Sequence, residues 1–285
     1  MKRIGGYSVI LLLSVLLAAC AEMNRAGSVS ADSPQWMELP AEGKAGYECH
    51  THWFRLNGQN HRNYTFAWSQ KDLVSLWVAY PLCGMHTDRK VARTEAWNYD
   101  PVLGKEYSPA PFKGYAGDYA RGHQVPSADR MCCKAANEQT FYGSNIMPQL
   151  DEHNEGIWNR LEGHLRKIAE NADTLYVVTG CITEGSNELT TDSDGKFITV
   201  PVAFYKAVLR YEDGAPWSGA AFYTEHRSYG RNSDDLKAVS MSIDELEKKT
   251  GIDFFVNLPH RIGRKEAAQV EARDPASVAI WKLNH

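Results

Sequence analysis

The chain is read from Tyr119-Ala120-Arg121-Gly122-His123-Gln124-Val125-Pro126, followed by Ser144-Asn145-Ile146-Met147-Pro148-Gln149, and then by Asn154, Trp158, Glu162 and Arg166. A histidine near an arginine, followed by polar side chains at helical spacing, is how a site for a phosphodiester and a divalent cation is written. His123 is a candidate base, because an unperturbed imidazole titrates near neutral pH. The Arg121 guanidinium suits phosphate oxygens, to which it donates two parallel charge-assisted hydrogen bonds. Gly122 between them reads as a point where backbone approaches a ligand.

Apolar residues Ile157, Trp158, Leu161, Leu165 and Ile168 fall on one face of a helix that starts after Asp151 and ends near 171–173. Counted at roughly 100° per residue, Glu162 lies about 80° and Arg166 about 120° around that helix from Asn154. The three therefore form a polar flank beside the apolar stripe. Asn154 offers an amide oxygen to a hard cation such as Mg²⁺, which accepts few protein ligands and keeps several waters; Glu162 orients one of those waters. The bland alternative is a helix cap at Asn154 and a solvated Glu162/Arg166 pair.

Working outward, residues 64–69 and 73–82 are β-rich and separated by a polar turn, which predicts a hairpin. Residues 86–117 are irregular, broken by Pro101, Pro109 and Pro111. Residues 175–181, 197–211 and 217–224 predict further strands. Ser242 and Glu245 are spaced as a capping box for a helix that stops at Gly251, and residues 264–273 predict another helix. Strands and helices mixed in this way predict one α+β domain over residues 46–285, with a central mixed or antiparallel sheet and flanking helices.

The chain has 285 residues, and its 8 tryptophans and 14 tyrosines argue against disorder. Its net charge of −4 provides no global attraction for polyanions, so any nucleic-acid contact must be local. Arg89, Lys90, Arg93, Lys105, Lys113, Arg121, Arg130 and Lys134, set against Glu95, Asp100, Glu106, Asp118 and Asp129, give one modest local excess.

The N-terminus predicts export. Lys2 and Arg3 precede an apolar run over residues 9–19, too short to span a bilayer comfortably. The run ends in Leu17-Ala18-Ala19-Cys20, which resembles the bacterial lipobox. Residues 1–19 are thus read as a lipoprotein signal peptide, Cys20 as the lipidated residue and residues 20–45 as a flexible tether. The expected location is the cell envelope, with the lipid in a membrane, or the periplasm or exterior if Cys20 is unmodified. Export favours disulfides among Cys49, Cys83, Cys132, Cys133 and Cys181.

Taken together, Arg121-Gly122-His123-Gln124, Ser144-Asn145-x-x-Pro148-Gln149 and Asn154-x-x-x-Trp158-x-x-x-Glu162 resemble the DNA/RNA non-specific endonuclease family, of the Serratia-nuclease and endonuclease G type. The likeness extends more weakly through Val177-Val178-Thr179-Gly180, Val200-Pro201 to Tyr205-Lys206, and residues 250–255. It implies a ββα-metal fold and Mg²⁺-dependent cleavage of DNA and RNA to 5′-phosphates, with Mn²⁺ as a substitute metal. It assigns His123 to activating the attacking water, Asn154 to the cation and Glu162 to a water of the cation's shell. Asn145 matches the family's site asparagine, and Arg121 and Arg166 match arginines on the scissile phosphate. The family includes homodimers, so the resemblance admits one here.

One departure stands out: the family commonly has Asp-Arg-Gly-His, and here Ala120 holds the Asp position. An orienting carboxylate is then lost unless Asp118 or Asp129 takes its place. Two rivals follow, a nucleic-acid-binding lipoprotein of this fold with impaired catalysis, and a phosphodiesterase for small phosphodiesters.

Overall fold

The computed structural model describes residues 36–41, 47–229 and 236–283. Cys20, the apolar run before it and most of the expected tether lie outside the described residues.

Eleven strands are described: β1 Glu48–Leu56, β2 Gln59–Ser69, β3 Val74–Leu82, β4 Tyr119–His123, β5 Ile146–Leu150, β6 Thr174–Ile182, β7 Leu189–Thr191, β8 Phe197–Thr199, β9 Ala203–Tyr211, β10 Ser218–Glu225 and β11 Ser240–Met241. Seven form one sheet in the order β1-β2-β3-β6-β9-β10-β11, and every pairing in it is antiparallel. The remaining four make two hairpins, β4-β5 and β7-β8. The helices that position the cores are α1 Asn159–Ala169, α2 Ile243–Thr250, α3 Leu258–Ile262 and α4 Arg264–Glu271. The fold is α+β, as expected, with a wholly antiparallel central sheet.

Alternating residues of the strands feed two separate cores. On one face Phe66, Val78, Tyr80, Val177, Phe204 and Val208 pack against Ile157, Trp158, Leu161, Leu165 and Ile168. On the other, Ala67, Ala79, Val178, Tyr205, Ala207 and Leu209 pack against Ile243, Leu246, Leu258, Ala267 and Val270 of α2–α4. Because both faces are covered, central strands read as continuous apolar runs rather than alternating ones. β1 lies at the sheet edge and is mostly half-exposed, so its sequence Glu-Cys-His-Thr-His-Trp-Phe-Arg-Leu carries little apolar signal.

The capping box at α2 forms as spaced: Ser242 Oγ accepts from the Glu245 amide, the Glu245 carboxylate accepts from the Ser242 amide, and Gly251 ends the helix in the left-handed conformation.

Two expectations need correction. Residues 36–41 do not belong to the tether. Met37 and Leu39 are buried in the second core, Glu38 is ion-paired to Arg62 at 2.7 Å, and the Arg62 guanidinium lies 4.0 Å over the Trp36 ring. Apolar side chains and a buried carboxylate bind residues 36–41 to the sheet. The expected disulfides are also absent: Cys49, Cys83, Cys132, Cys133 and Cys181 are thiols. Cys181 and Cys49 pack in the two opposite cores, Cys132 and Cys133 sit beside Phe54, and Cys83 contacts His86 Nδ1 at 3.2 Å.

Candidate active site

The site is carried by the β4-β5 hairpin and the helical segment that follows it on the first face of the sheet. His123 ends β4 opposite Ile146, the first residue of β5. Asn145 fixes this junction. It is fully buried, its Nδ2 donates to the carbonyls of Thr140 at 2.8 Å and Val125 at 3.0 Å, and its Oδ1 accepts from the Val125 amide at 2.9 Å. Asn145 therefore clamps the backbone just beyond His123 and does not line the cavity described below.

Gly122 has a steric cause rather than the ligand approach read from sequence. A Cβ there would lie 2.2 Å from Gln149 Oε1 and 2.8 Å from Gln149 Cβ. Gln149 is held in turn by His153 Nδ1 at 2.6 Å, and His153 Nε2 by Thr224 Oγ1 at 2.9 Å. Gly122→Ala is expected to cost about 1–3 kcal/mol of unfolding free energy, measured by denaturant titration, because the displaced Gln149 leaves a buried polar chain unpaired. Unchanged stability would show that Gln149 moves aside freely.

After β5 the helix starts at Asp151–His153, widens into a π turn over Asn154–Trp158, and continues as α1. Gly156, at φ −86° and ψ −113°, departs from helical geometry inside the π turn. The angles counted on an unbroken α-helix therefore fail between Asn154 and Trp158. Even so, Asn154, Glu162 and Arg166 line one cavity of about 510 Å³ with His123. π bulges frequently mark functional positions, and this one sets where Asn154 faces.

His123 sits between the rings of Trp97 (centroids 5.5 Å apart) and Phe141 (5.1 Å), and its Nε2 has no hydrogen-bond partner among the described residues. Burial is the main influence on the imidazole and, with the positive charge of Arg93 and then Arg121, lowers its pKa to about 3; a backbone hydrogen bond with Arg121 opposes them. His123 is neutral at pH 7, as a base must be. No carboxylate is among those influences. Asp118 is exposed, and Asp129 instead accepts from Arg166 Nη1 at 2.6 Å and from the Tyr80 hydroxyl at 3.1 Å. The ring is oriented by its two aromatic neighbours and the Arg121 backbone.

Arg121 does not line the cavity. Its guanidinium lies 3.9 Å over the Trp97 ring, and Nη1 donates to the carbonyls of Pro111 and Phe112, each at 3.2 Å.

Beneath the cavity lies a charged network that sequence reasoning did not assign. Lys206, fully buried on β9, donates to Thr179 Oγ1 at 3.0 Å and to the Gln124 carbonyl at 3.4 Å, and its ammonium lies 4.5 Å over the Trp158 ring. Burial raises the pKa of Glu162 to about 7, opposed by Lys206 and Arg166 and reinforced by Asp129. Burial lowers that of Lys206, opposed by Glu162 and Asp129. The available signal was a lysine inside the apolar strand Ala-Phe-Tyr-Lys-Ala-Val-Leu. Arg93, Ser127 and Asn159 also line the cavity; Arg93 donates to Ser127 Oγ at 2.7 Å. Arg93 comes from a segment with no motif of its own, Ser127 directly follows the Arg121–Pro126 block, and Asn159 is an unassigned position between Trp158 and Glu162.

Among the described residues no three His, Cys, Asp or Glu side chains converge as a metal cage. The side chains lining the cavity that carry oxygen donors are Ser127, Asn154, Glu155, Asn159 and Glu162, with only two carboxylates among them. This hard, sparse donor set fits a cation such as Mg²⁺ that retains most of its waters, and does not fit a structural zinc.

A family model described as DNA/RNA non-specific endonuclease matches residues 49–261. The chain is 30% identical over 236 residues to the mitochondrial nuclease EXOG of Xenopus laevis, an alignment covering 77% of this chain and 64% of that one. It is 29% identical over 255 residues to the nuclease of Serratia marcescens, covering 85% and 90% respectively. Against the EXOG proteins of Xenopus laevis, Mus musculus and Danio rerio the matched span is 64%, 59% and 59% of their length. The crystal structure of the EndoG/EndoGI complex shares the fold, with a TM-score of 0.60 at 18% identity over 78% of this chain and 91% of that one.

Proposed function

Because this chain belongs to the DNA/RNA non-specific endonuclease family, we propose that it hydrolyses phosphodiester bonds in DNA and RNA with little sequence preference, using Mg²⁺, for which Mn²⁺ can substitute. The observation that carries this reading is one cavity in which the unpartnered Nε2 of a neutral His123 meets Asn154, Glu162 and Arg166.

His123 takes a proton from the attacking water at Nε2. Arg166, held at one nitrogen by Asp129, places positive charge beside the phosphate. Asn154 would hold the cation by its amide oxygen, and Glu162 would fix a water of the cation's shell. Bound there, the cation would offset the extra negative charge of the transition state. Displacement of the 3′ oxygen leaves a 5′-phosphate. Phosphate-directed contacts without base-edge contacts account for the lack of sequence preference.

Export and lipidation at Cys20 complete the proposal, supported by the lipobox-like Leu17-Ala18-Ala19-Cys20. Cys20→Ser should move the protein from the membrane fraction to the soluble one; unchanged fractionation contradicts an anchor.

The impaired-binder reading draws on Ala120 and on the engagement of Arg121 with backbone carbonyls. A substrate panel of supercoiled plasmid, RNA and bis(p-nitrophenyl) phosphate, each with Mg²⁺ or with chelator, separates the readings. Metal-dependent cutting of both polymers is expected. Tight polymer binding without cutting would support the binder, and hydrolysis of the small diester alone would support the phosphodiesterase.

A further inference from the structure

We propose that residues 97–113 form a base-stacking platform that receives a single-stranded stretch of nucleic acid beside the cavity, with Phe112 as its outer ring. This deepens the nuclease reading and rests on it. The platform is a continuous path of contacts leading away from His123. Trp97 packs on the His123 ring, Arg121 covers Trp97 at 3.9 Å, and the Phe112 carbonyl accepts from Arg121. The Phe112 ring then meets Tyr99 edge-on, with centroids 5.0 Å apart, and the ammonium groups of Lys105 and Lys196 lie 5.4 and 5.3 Å from the Tyr99 ring centre.

Phe112 is 41% exposed, and Tyr107 and Val102 of the same segment are each 42% exposed. Three large apolar side chains exposed within residues 102–112 call for a partner. The charge around them selects its sign. Lys105 and Lys196 stand at the Tyr99 ring, Arg121 covers Trp97 and Lys113 follows Phe112 in the chain, against Glu106, Asp192 and Asp194; Asp192 already accepts from the Ala110 amide and Asp194 from the Tyr99 hydroxyl at 2.7 Å. Apolar rings interleaved with cations are the surface on which unpaired bases stack while their phosphates meet lysine and arginine. In a duplex those base faces are occupied by neighbouring bases, so the platform favours single strands.

The loop is also fixed in place before any partner binds. The Ala110 amide donates to Asp192 at 2.7 Å, the Lys113 amide to Ser193 Oγ at 2.8 Å, and the Ala116 amide to the Thr191 carbonyl at 2.9 Å. Lys196 Nζ donates to the Ser108 carbonyl at 2.6 Å. Little ordering cost remains for binding.

Phe112→Ala should raise KM for a single-stranded oligonucleotide about 5- to 100-fold, the range for removing one base stack, with kcat nearly unchanged. KM for a duplex of the same sequence should move far less, rates on bis(p-nitrophenyl) phosphate should not move, and Phe112→Trp should restore the single-strand KM. An unaltered single-strand KM, an equal loss on duplex, or a loss on the small diester would each overturn the platform. Fluorescence anisotropy with a labelled single strand reads the same effect without turnover. A chain that cuts no nucleic acid yet loses strand affinity in Phe112→Ala would sink the nuclease reading and keep the platform. A chain that cuts nucleic acid with an unaltered KM in Phe112→Ala would do the reverse.

Discussion

Replacing His123 with alanine is expected to lower kcat for plasmid cleavage by roughly 10²- to 10⁴-fold, the usual contribution of a positioned general base. KM should change little, because His123 touches the attacking water and not the bulk of the polymer. Among the described residues Nε2 has no hydrogen-bond partner, and Trp97 and Phe141 pack against the ring. The substitution removes one base from a pocket whose walls remain, so added imidazole should recover part of the rate. The pH profile supplies a second check. Burial and the arginines hold His123 at about 3 in the free enzyme, so it acts as a base above that value and fails only as pH falls through it. Between pH 8 and pH 5, kcat/KM should show no loss from protonation of His123. A variant with wild-type kcat would remove the histidine from the chemistry.

Asn154→Ala should act on the metal rather than on the proton. Removing the one amide oxygen that the π turn brings into the cavity forfeits several kcal/mol of charge stabilisation, or roughly 10²- to 10³-fold in rate. The half-saturating Mg²⁺ concentration should rise in this variant, and excess Mg²⁺ should restore part of the activity. The His123→Ala enzyme should keep the wild-type Mg²⁺ dependence. Cleavage titrated against Mg²⁺ for all three proteins checks this. An Asn154→Ala titration that overlays the wild type would place the cation elsewhere.

How much of this was legible in the sequence differs from residue to residue. The strands of the central sheet and the capped helix at Ser242 were readable because apolar runs and cap chemistry are local signals. β1 was not, since an edge strand carries mixed polarity, and β4 was not, since Tyr-Ala-Arg-Gly-His has no alternation. Packing of residues 36–41 depends on Arg62 and the second core, which no local pattern announces.

At the site, order and spacing brought out His123, Asn154, Glu162 and Arg166, and the fold sets all four around one cavity. The same spacing could not separate residues that shape the cavity from residues that line it. Asn145 proved to be a backbone clamp and Arg121 a cover on Trp97. Gly122 owes its identity to Gln149, 27 positions away in the chain. Lys206 and Arg93 arrive from strands and loops distant in sequence, where only three-dimensional packing gives them a role.

The central claim is that His123 and Asn154 serve a single metal-assisted hydrolytic step. Single-turnover cleavage of a labelled oligonucleotide, by the wild type, each single variant and the His123→Ala/Asn154→Ala double variant, tests it most directly. Groups that act as a unit are non-additive. The wild type should cut in Mg²⁺ and not in chelator, and the double variant should be no slower than the worse single one. Losses that multiply, or cleavage that neither substitution slows, would contradict a shared centre in this cavity.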